Sequence, residues 1–400
     1  MNKNIQQLYN IALKPKRLII GLMSGTSLDG LDVALCSIEN SGLQTGLKLI
    51  HFETVPYNHQ FKDEVKTIFS KRNIDLEKLT LLNPSVALQH AKIVLQCLQK
   101  WGVDKSEVDI IASHGQTIFH APKFSHQHSM YENATLQIGD GDHLAVATGI
   151  ITISDFRQKN IAAGGEGAPL AVYGDYILFS KKNQDRVLLN IGGIANFTYL
   201  PGGLNIEEII CTDIGPGNTL MDAYVQQNVA DKYYDENGAL ALKGNIDAHL
   251  LNALKNHSFF LQPFPKTTGP ELFNLDYLQN AQRITNTLHL SIENILATLN
   301  KFSADVIVAA MQTCFGSKNK LEIYVSGGGV HNPLLIQYLK NGFKNCDFFT
   351  TESLGINPDA KEAVLFAVLA NECVAGDKQL FESKIKNIPA IAMGKISFPD

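Results

Sequence analysis

The 400-residue chain is 45% apolar and 18% charged, with a net charge of −5, the balance of a soluble globular protein long enough for about two domains. It has no basic block, which excludes nucleic acid or an anionic membrane surface as the expected partner. The six cysteines form no C-x-x-C or zinc spacing, the first sixteen residues hold no signal-peptide core, and no run approaches a membrane span, so a cytoplasmic location is expected.

In chain order, the first clear element is an apolar strand from Arg17 that enters a Gly/Ser/Thr loop and leaves it after Asp29-Gly30. Asp-Gly between two strand-like runs signals a hairpin with a type I′ turn. The loop offers hydroxyls at Ser24, Thr26 and Ser27, and open backbone at Gly21 and Gly25, a surface suited to phosphate oxygens. An ordinary hairpin accounts for the same residues.

A helix is expected over about 84–100, then a buried strand over 108–113 that ends at Ser113-His-Gly-Gln-Thr117. A polar loop follows over about 123–132. His114, His120, His126 and His128 fit no standard metal spacing, and most lie in or beside that loop as solvated side chains. After the run 145–153 come Asp155-Phe156-Arg157 and the turn Gly164–Gly167, with a second sheet expected from Val187. A domain boundary falls at about 150, giving domains over 16–150 and 151–380 and a tail over 381–400.

Ile209-Ile210 then feeds Asp213-Ile-Gly-Pro-Gly-Asn218 and a helix over about 219–229. Gly215 and Gly217 permit close approach of a phosphate, and the helix aims its N-terminal donors at the same place. Asp213, at a strand end beside that turn, suits a general base or a metal ligand, with a turn-initiating Asp that bonds its own backbone as the lesser alternative. Further on, a strand over 321–325 ends at Ser326-Gly327-Gly328-Gly329, where absent side chains leave room for an adenosine or make a flexible turn. A last helix over about 360–373 carries Asp359 as N-cap and Glu362 three residues on, a capping box. No Walker loop occurs, and Gly165–Leu170 is too poor a G-x-G-x-x-G to indicate a dinucleotide fold. Asp29 and Asp32 could hold Mg²⁺ beside phosphates through water, although a turn role and a solvated strand face explain them as well. The recurring strand, Gly-rich turn and following strand or helix argues for an α/β protein of two related domains.

Seven blocks occur in order: Gly21–Asp32, Ser113–Thr117, Ala162–Leu170, Leu189–Gly193, Asp213–Asn218, Pro265–Gly269 and Gly327–Gly329. Together they resemble the anhydro-N-acetylmuramic acid kinase family, within the acetate and sugar kinase, heat-shock chaperone and actin superfamily. The resemblance implies two ribonuclease-H-like domains with an ATP-binding cleft between them, ATP and Mg²⁺ as cofactors, and a homodimer. It implies that ATP and water convert 1,6-anhydro-N-acetylmuramic acid to N-acetylmuramic acid 6-phosphate during cell-wall recycling. Asp213 takes the position of the catalytic base. Gly25, Thr26, Ser27, Leu28, Asp29, Gly30, Leu31 and Asp32 match the first phosphate loop, Gly215, Gly217 and Asn218 border the second, and Gly327, Gly328 and Gly329 match the adenosine turn. Glu362 falls where the family places an acidic residue near the sugar, with Arg157 as a further sugar contact.

Some residues depart from the family pattern: Asn160 stands for an acidic residue, Pro270 for an arginine, and 171–175 and 389–394 differ from the usual stretches. These bear on the sugar side or a dimer contact rather than on ATP. Direct transfer to a hydroxyl of another amino sugar, and a non-catalytic actin-like nucleotide switch, are the alternative readings.

Overall fold

Among the described residues twelve strands organise the fold: β1 (Lys16–Ser24), β2 (Gly30–Glu39), β3 (Gly46–Pro56), β4 (Ile110–Ala121), β5 (Ala134–Ile138), β6 (Thr152–Ser154), β7 (Asp185–Ile191), β8 (Ile194–Leu200), β9 (Ile210–Pro216), β10 (Leu321–Ser326), β11 (Asp347–Thr350) and β12 (Lys395–Ser397). The computed structural model describes residues 2–26, 28–126, 128–316, 320–344, 346–376, 389 and 391–400. The chain divides into two units, one of residues 1–179 with 355–400, the other of residues 180–354.

In the first unit the sheet order is β12-β6-β4-β1-β2-β3, with β5 paired to β4. β1, β2 and β3 run antiparallel in sequence, whereas β4 and β6 continue in parallel on the other side of β1. β1 and β2 are almost wholly buried, so they read as continuous apolar runs instead of alternating ones. The helix Leu76–Trp101 packs on this sheet. It starts at Asp75, whose carboxylate accepts from the Glu77 and Lys78 amides, and stops at left-handed Gly102. It therefore begins eight residues before the expected start at Pro84, which lies inside it. The helix Lys361–Ala375 also belongs here and is buried continuously from Ala363 to Glu372. Such all-round burial explains its lack of amphipathic signal.

The second unit repeats the plan. Its sheet order is β11-β10-β7-β8-β9, with β7, β8 and β9 antiparallel and β10 and β11 parallel to β7. The central helix Ile292–Phe315 begins at Ser291, whose hydroxyl caps Asn294, and buries Ile295, Leu299, Phe302, Val306 and Met311 against β7–β9 residues such as Val187, Phe197 and Ile214. Three antiparallel strands flanked by two parallel ones, in both units, give the two ribonuclease-H-like α/β domains expected from the sequence.

The expected boundary near 150 does not coincide with the division of the chain. β6 lies within the first sheet, paired with β4 and with the returning β12, so 151–179 stay with the first unit. The segment 355–376 returns there as well, because its apolar helix packs on β1 and β2. Of the expected tail, residues 381–388 and Ala390 lie outside the described residues, while β12 closes the first sheet.

Candidate functional site

In the first unit, β1 and β2 pair through Ser24 and Leu31 and β2 begins at Gly30, so the connection spans 25–29 and is not a two-residue turn at Asp29-Gly30. Among the described residues of this connection, Leu28 is left-handed, φ +58. Burial stabilises that conformation: Leu28 is 1% exposed and packs with Val65, Ile68, Val86 and Ile118. Gly30 is a glycine because a Cβ there would lie 2.5 Å from the Val55 carbonyl oxygen of β3. Gly21, expected to leave backbone open for a ligand, is covered: its Cβ would lie 1.9 Å from the Ala363 carbonyl oxygen.

Leu28, Gly30 and Leu31 thus shape the loop, with both leucine side chains in the core. Thr26 and Asp29 expose their side chains, Gly25 is half-buried, and Ser27 lies outside the described residues. Ser24 is not a free hydroxyl. It donates to Gln116 Oε1 at 2.5 Å and accepts from the Tyr57 hydroxyl at 2.8 Å, which lies 2.8 Å from His90 Nε2. Gln116 in turn donates to the Gly25 carbonyl at 3.3 Å. This buried chain fixes the base of the loop, and burial lowers the His90 pKa to about 4, so the imidazole is neutral.

Asp32 accepts from the Thr54 hydroxyl at 2.6 Å. Burial raises its pKa, the Thr54 bond opposes that, and the charge of Asp359 adds to it. Arg157 donates to His114 Nε2 at 2.9 Å and to the Gly167 carbonyl at 2.7 Å. His114 Nδ1 is 2.9 Å from the Gly115 carbonyl, so the proton is assigned to Nδ1 and Nε2 accepts. Burial and the Arg157 charge hold its pKa down at about 3. His114 is therefore a core residue, not a solvated loop histidine. Glu362 opens to solvent at the first turn of Lys361–Ala375. Even so, protein surrounds it closely enough for desolvation to raise its pKa, with Arg157 pulling it down and Asp32 pushing it up. The capping box fails, since Asp359 lies in a short 3₁₀ turn capped by Asn357 and the helix N-cap is Ala360. Glu362 is thereby left without a capping role. Asn160 is buried: it donates to the Tyr173 hydroxyl and accepts from the Gly167 amide, so this departure from the family pattern clamps a loop.

In the second unit, three glycine turns converge on the end of β7. The Gly217, Asn218 and Thr219 amides donate to the Gly193, Gly192 and Gly193 carbonyls at 2.8, 2.9 and 3.0 Å. Those amides, expected to face an anion, are already satisfied, and the helix Thr219–Asn228 starts without a side-chain cap. Asn218 Nδ2 also donates to the Ile191 carbonyl at 3.3 Å. Gly327, φ +82, would bring a Cβ within 2.7 Å of the same carbonyl oxygen, and Gly329 would bring one within 2.4 Å of the Ile191 side chain. Those two are glycines so that β10 can close on β7, whereas Gly328 is exposed and a Cβ there meets only the Asn218 amide nitrogen at 3.5 Å. Gly328 alone of the three therefore has no close neighbour that requires a glycine. Gly215 lies beside Phe260, whose ring a Cβ would approach to 3.1 Å.

Asp213, on β9, is half-buried. Its Oδ2 accepts from the Thr268 amide at 3.0 Å, and among the described residues Oδ1 accepts from none. Burial raises its pKa, the Thr268 bond lowers it, and Glu271 raises it. The Thr268 hydroxyl, also buried, has no partner among the described residues. The sequence reading missed Thr268, Gly192 and Gly193 as site residues, although all three lie in the quoted blocks; what hid them is that they act through pairing partners distant in sequence. No three His, Cys, Asp or Glu side chains among the described residues converge as a metal site, and no helix among them is long and apolar enough to cross a membrane.

Residues 17–380 match a sequence model described as "AnmK: Anhydro-N-acetylmuramic acid kinase". The chain is 55% identical over 401 residues to a protein of that name from Pseudoalteromonas atlantica, and 53% identical over 406 residues to one from Pseudoalteromonas translucida, with 100% of each chain covered in both cases. A third, from Caldanaerobacter subterraneus, is 36% identical over 395 residues, covering 98% of this chain and 100% of its own.

Proposed function

The chain belongs to the anhydro-N-acetylmuramic acid kinase family, and from that premise we propose that it hydrolyses the anhydro bridge of 1,6-anhydro-N-acetylmuramic acid and phosphorylates the freed O6 from ATP. The observation that carries this reading is Asp213, with one carboxylate oxygen held by the Thr268 amide and the other free of protein donors among the described residues. Burial raises its proton affinity, which suits a base that takes a proton at neutral pH. Water attacks C1 as Asp213 Oδ1 accepts its proton. The C1–O6 bond breaks, O6 attacks the γ-phosphorus, and the bond to ADP breaks. A positioned base of this kind contributes about 10²–10⁴-fold.

Thr26 and the loop amides from Gly25 onward are assigned to the ATP phosphates, and the open face at Gly328, bordered by Asn218, to adenosine. Arg157 and Glu362 are assigned to the sugar. For Arg157 the two hydrogen bonds that hold its guanidinium support the assignment; for Glu362 the support is its freedom from the cap. Mg²⁺ fits Asp32, whose charge is disfavoured by burial and by Asp359 and would be favoured by a cation. Asp29, exposed beside it in sequence, would contribute through water, and phosphate and water would supply most ligands. The ion would neutralise phosphate charge. The proposal includes a cytoplasmic homodimer acting in peptidoglycan recycling.

The test is turnover of Mg-ATP and 1,6-anhydro-N-acetylmuramic acid in ¹⁸O water, read by mass spectrometry. Label in the sugar 6-phosphate is expected. An unlabelled phosphorylated sugar would replace hydrolysis with direct transfer, and ADP release indifferent to sugar would refute the kinase reading.

A further inference from the structure

The segment that holds Asp213 contains a buried cation with no carboxylate partner among the described residues. Lys266 is 8% exposed. Its ammonium donates to the Phe259 carbonyl at 3.0 Å and lies 4.4 Å from the Phe259 ring centre, 4.5 Å from that of Phe264 and 5.9 Å from that of Phe260. Burying an ammonium costs free energy, and each cation–aromatic contact offsets part of that cost. The cage therefore fixes where this side chain can be.

The backbone of the same residue is registered against β9. Its amide donates to the Thr212 hydroxyl at 2.9 Å, and its carbonyl accepts from the Asp213 amide at 3.0 Å and from the Thr212 hydroxyl at 3.1 Å. Two residues later comes the Thr268 amide that holds Asp213 Oδ2. The charge of Lys266 does not itself set the state of Asp213, which responds to burial, the Thr268 amide and Glu271. Any influence of the ammonium must pass through the backbone.

We propose that Lys266 is a positioning residue for Asp213: the caged ammonium pins the segment 259–268 along β9, keeping the Thr268 amide on one carboxylate oxygen and leaving the other for the nucleophilic water. This rests on Asp213 being the base. The base must be ionised, so turnover falls as pH drops through its pKa. An amide bond to the carboxylate favours the ionised form. Loosening the segment therefore moves the acid limb of the kcat profile to higher pH.

The test compares kcat against pH for the wild type, Lys266→Met, Lys266→Arg and Glu271→Gln, with melting temperature and KM for ATP recorded alongside. Lys266→Met, which keeps length without charge, is expected to raise the acid limb by about half to one pH unit, up to tenfold in the ionised-to-protonated ratio, with KM for ATP unchanged. Lys266→Arg keeps a cation for the aromatic cage and is expected to restore most of the limb. Glu271→Gln removes the neighbouring negative charge and is expected to lower it, identifying the limb as that of Asp213. A folded Lys266→Met with the wild-type limb would overturn the proposal. Should Lys266→Met not fold, Phe264→Leu removes one ring and leaves the lysine; the same comparison then decides, with a smaller upward shift expected. If Asp213→Asn keeps wild-type turnover, the base assignment fails separately.

Discussion

Replacing Gly21 by alanine tests how closely the first unit's sheet and the helix Lys361–Ala375 depend on each other. The added Cβ would lie 1.9 Å from the Ala363 carbonyl oxygen, 2.8 Å from its carbon and 3.1 Å from the Ala367 amide nitrogen, and real Cβ contacts do not fall below 3.0 Å. The difference, 1.1 Å, must come from backbone, since no flexible side chain is available to swing aside. Overpacking of this kind costs about 3 kcal/mol, the upper part of its usual range. Removing a strand glycine offsets up to ~1 kcal/mol through the unfolded chain. The net loss is about 2 kcal/mol. In a unit of 225 residues, 179 from the first segment and 46 from the second, that lowers the melting temperature by roughly 4–8 °C. Glu362, the proposed sugar contact, directly precedes Ala363, so the same displacement carries it along, and misplacing such a contact by 1 Å can reduce kcat/KM by about 10²-fold. Calorimetry and kinetics with the anhydro sugar measure both effects. An alanine variant with the wild-type melting temperature would show that the helix accommodates the methyl at no cost, and the reasoning would be wrong.

Asp213→Asn should reduce kcat by at least about 10²-fold while KM for ATP changes little, as steady-state kinetics will show. Gly327→Ala should raise KM for ATP several-fold with a smaller change in kcat, because the turn beside Gly328 must open away from the Ile191 carbonyl. His90 and His114 are held neutral well below the ordinary histidine pKa. The unfolded chain therefore binds protons that the folded chain refuses, and stability falls as pH drops below about 6.5, by up to about 1.4 kcal/mol per pH unit for each. Denaturant melts between pH 7 and 5 should show a shallower slope for His90→Gln than for the wild type; equal slopes would count against the neutral imidazole.

The glycine turns and Asp213 were legible in the sequence because they work through local features: missing side chains at strand ends and a carboxylate just before a turn. What those glycines are for was not legible. Gly21, Gly30, Gly327 and Gly329 each admit a piece of backbone or a side chain from far along the chain, Ala363, Val55 or Ile191, and no local window contains that neighbour. Left-handed backbone was expected at Asp29-Gly30, and among the described residues there it is found at Leu28, because core burial overrides turn propensity. The alternation of strands and helices marked both sheets. It could not reveal that 355–376 returns to the first, since a helix buried on all sides carries no face to point with.

That return has a consequence for synthesis. The second unit is continuous in sequence, but the first is split, and its cover over β1 and β2, the helix that begins at Lys361, is encoded more than 320 residues after β2 ends at Glu39. At ribosomal rates of about 5–20 residues per second, those strands wait roughly 17–67 s before the helix ending at Ala375 has been made. During that interval the apolar surface around Gly21 has no lid of its own, while residues 180–354 can complete their sheet as they emerge. The nascent chain therefore finishes the unit of residues 180–354 first, and the earliest strands depend on whatever shields them until the helix Lys361–Ala375 arrives.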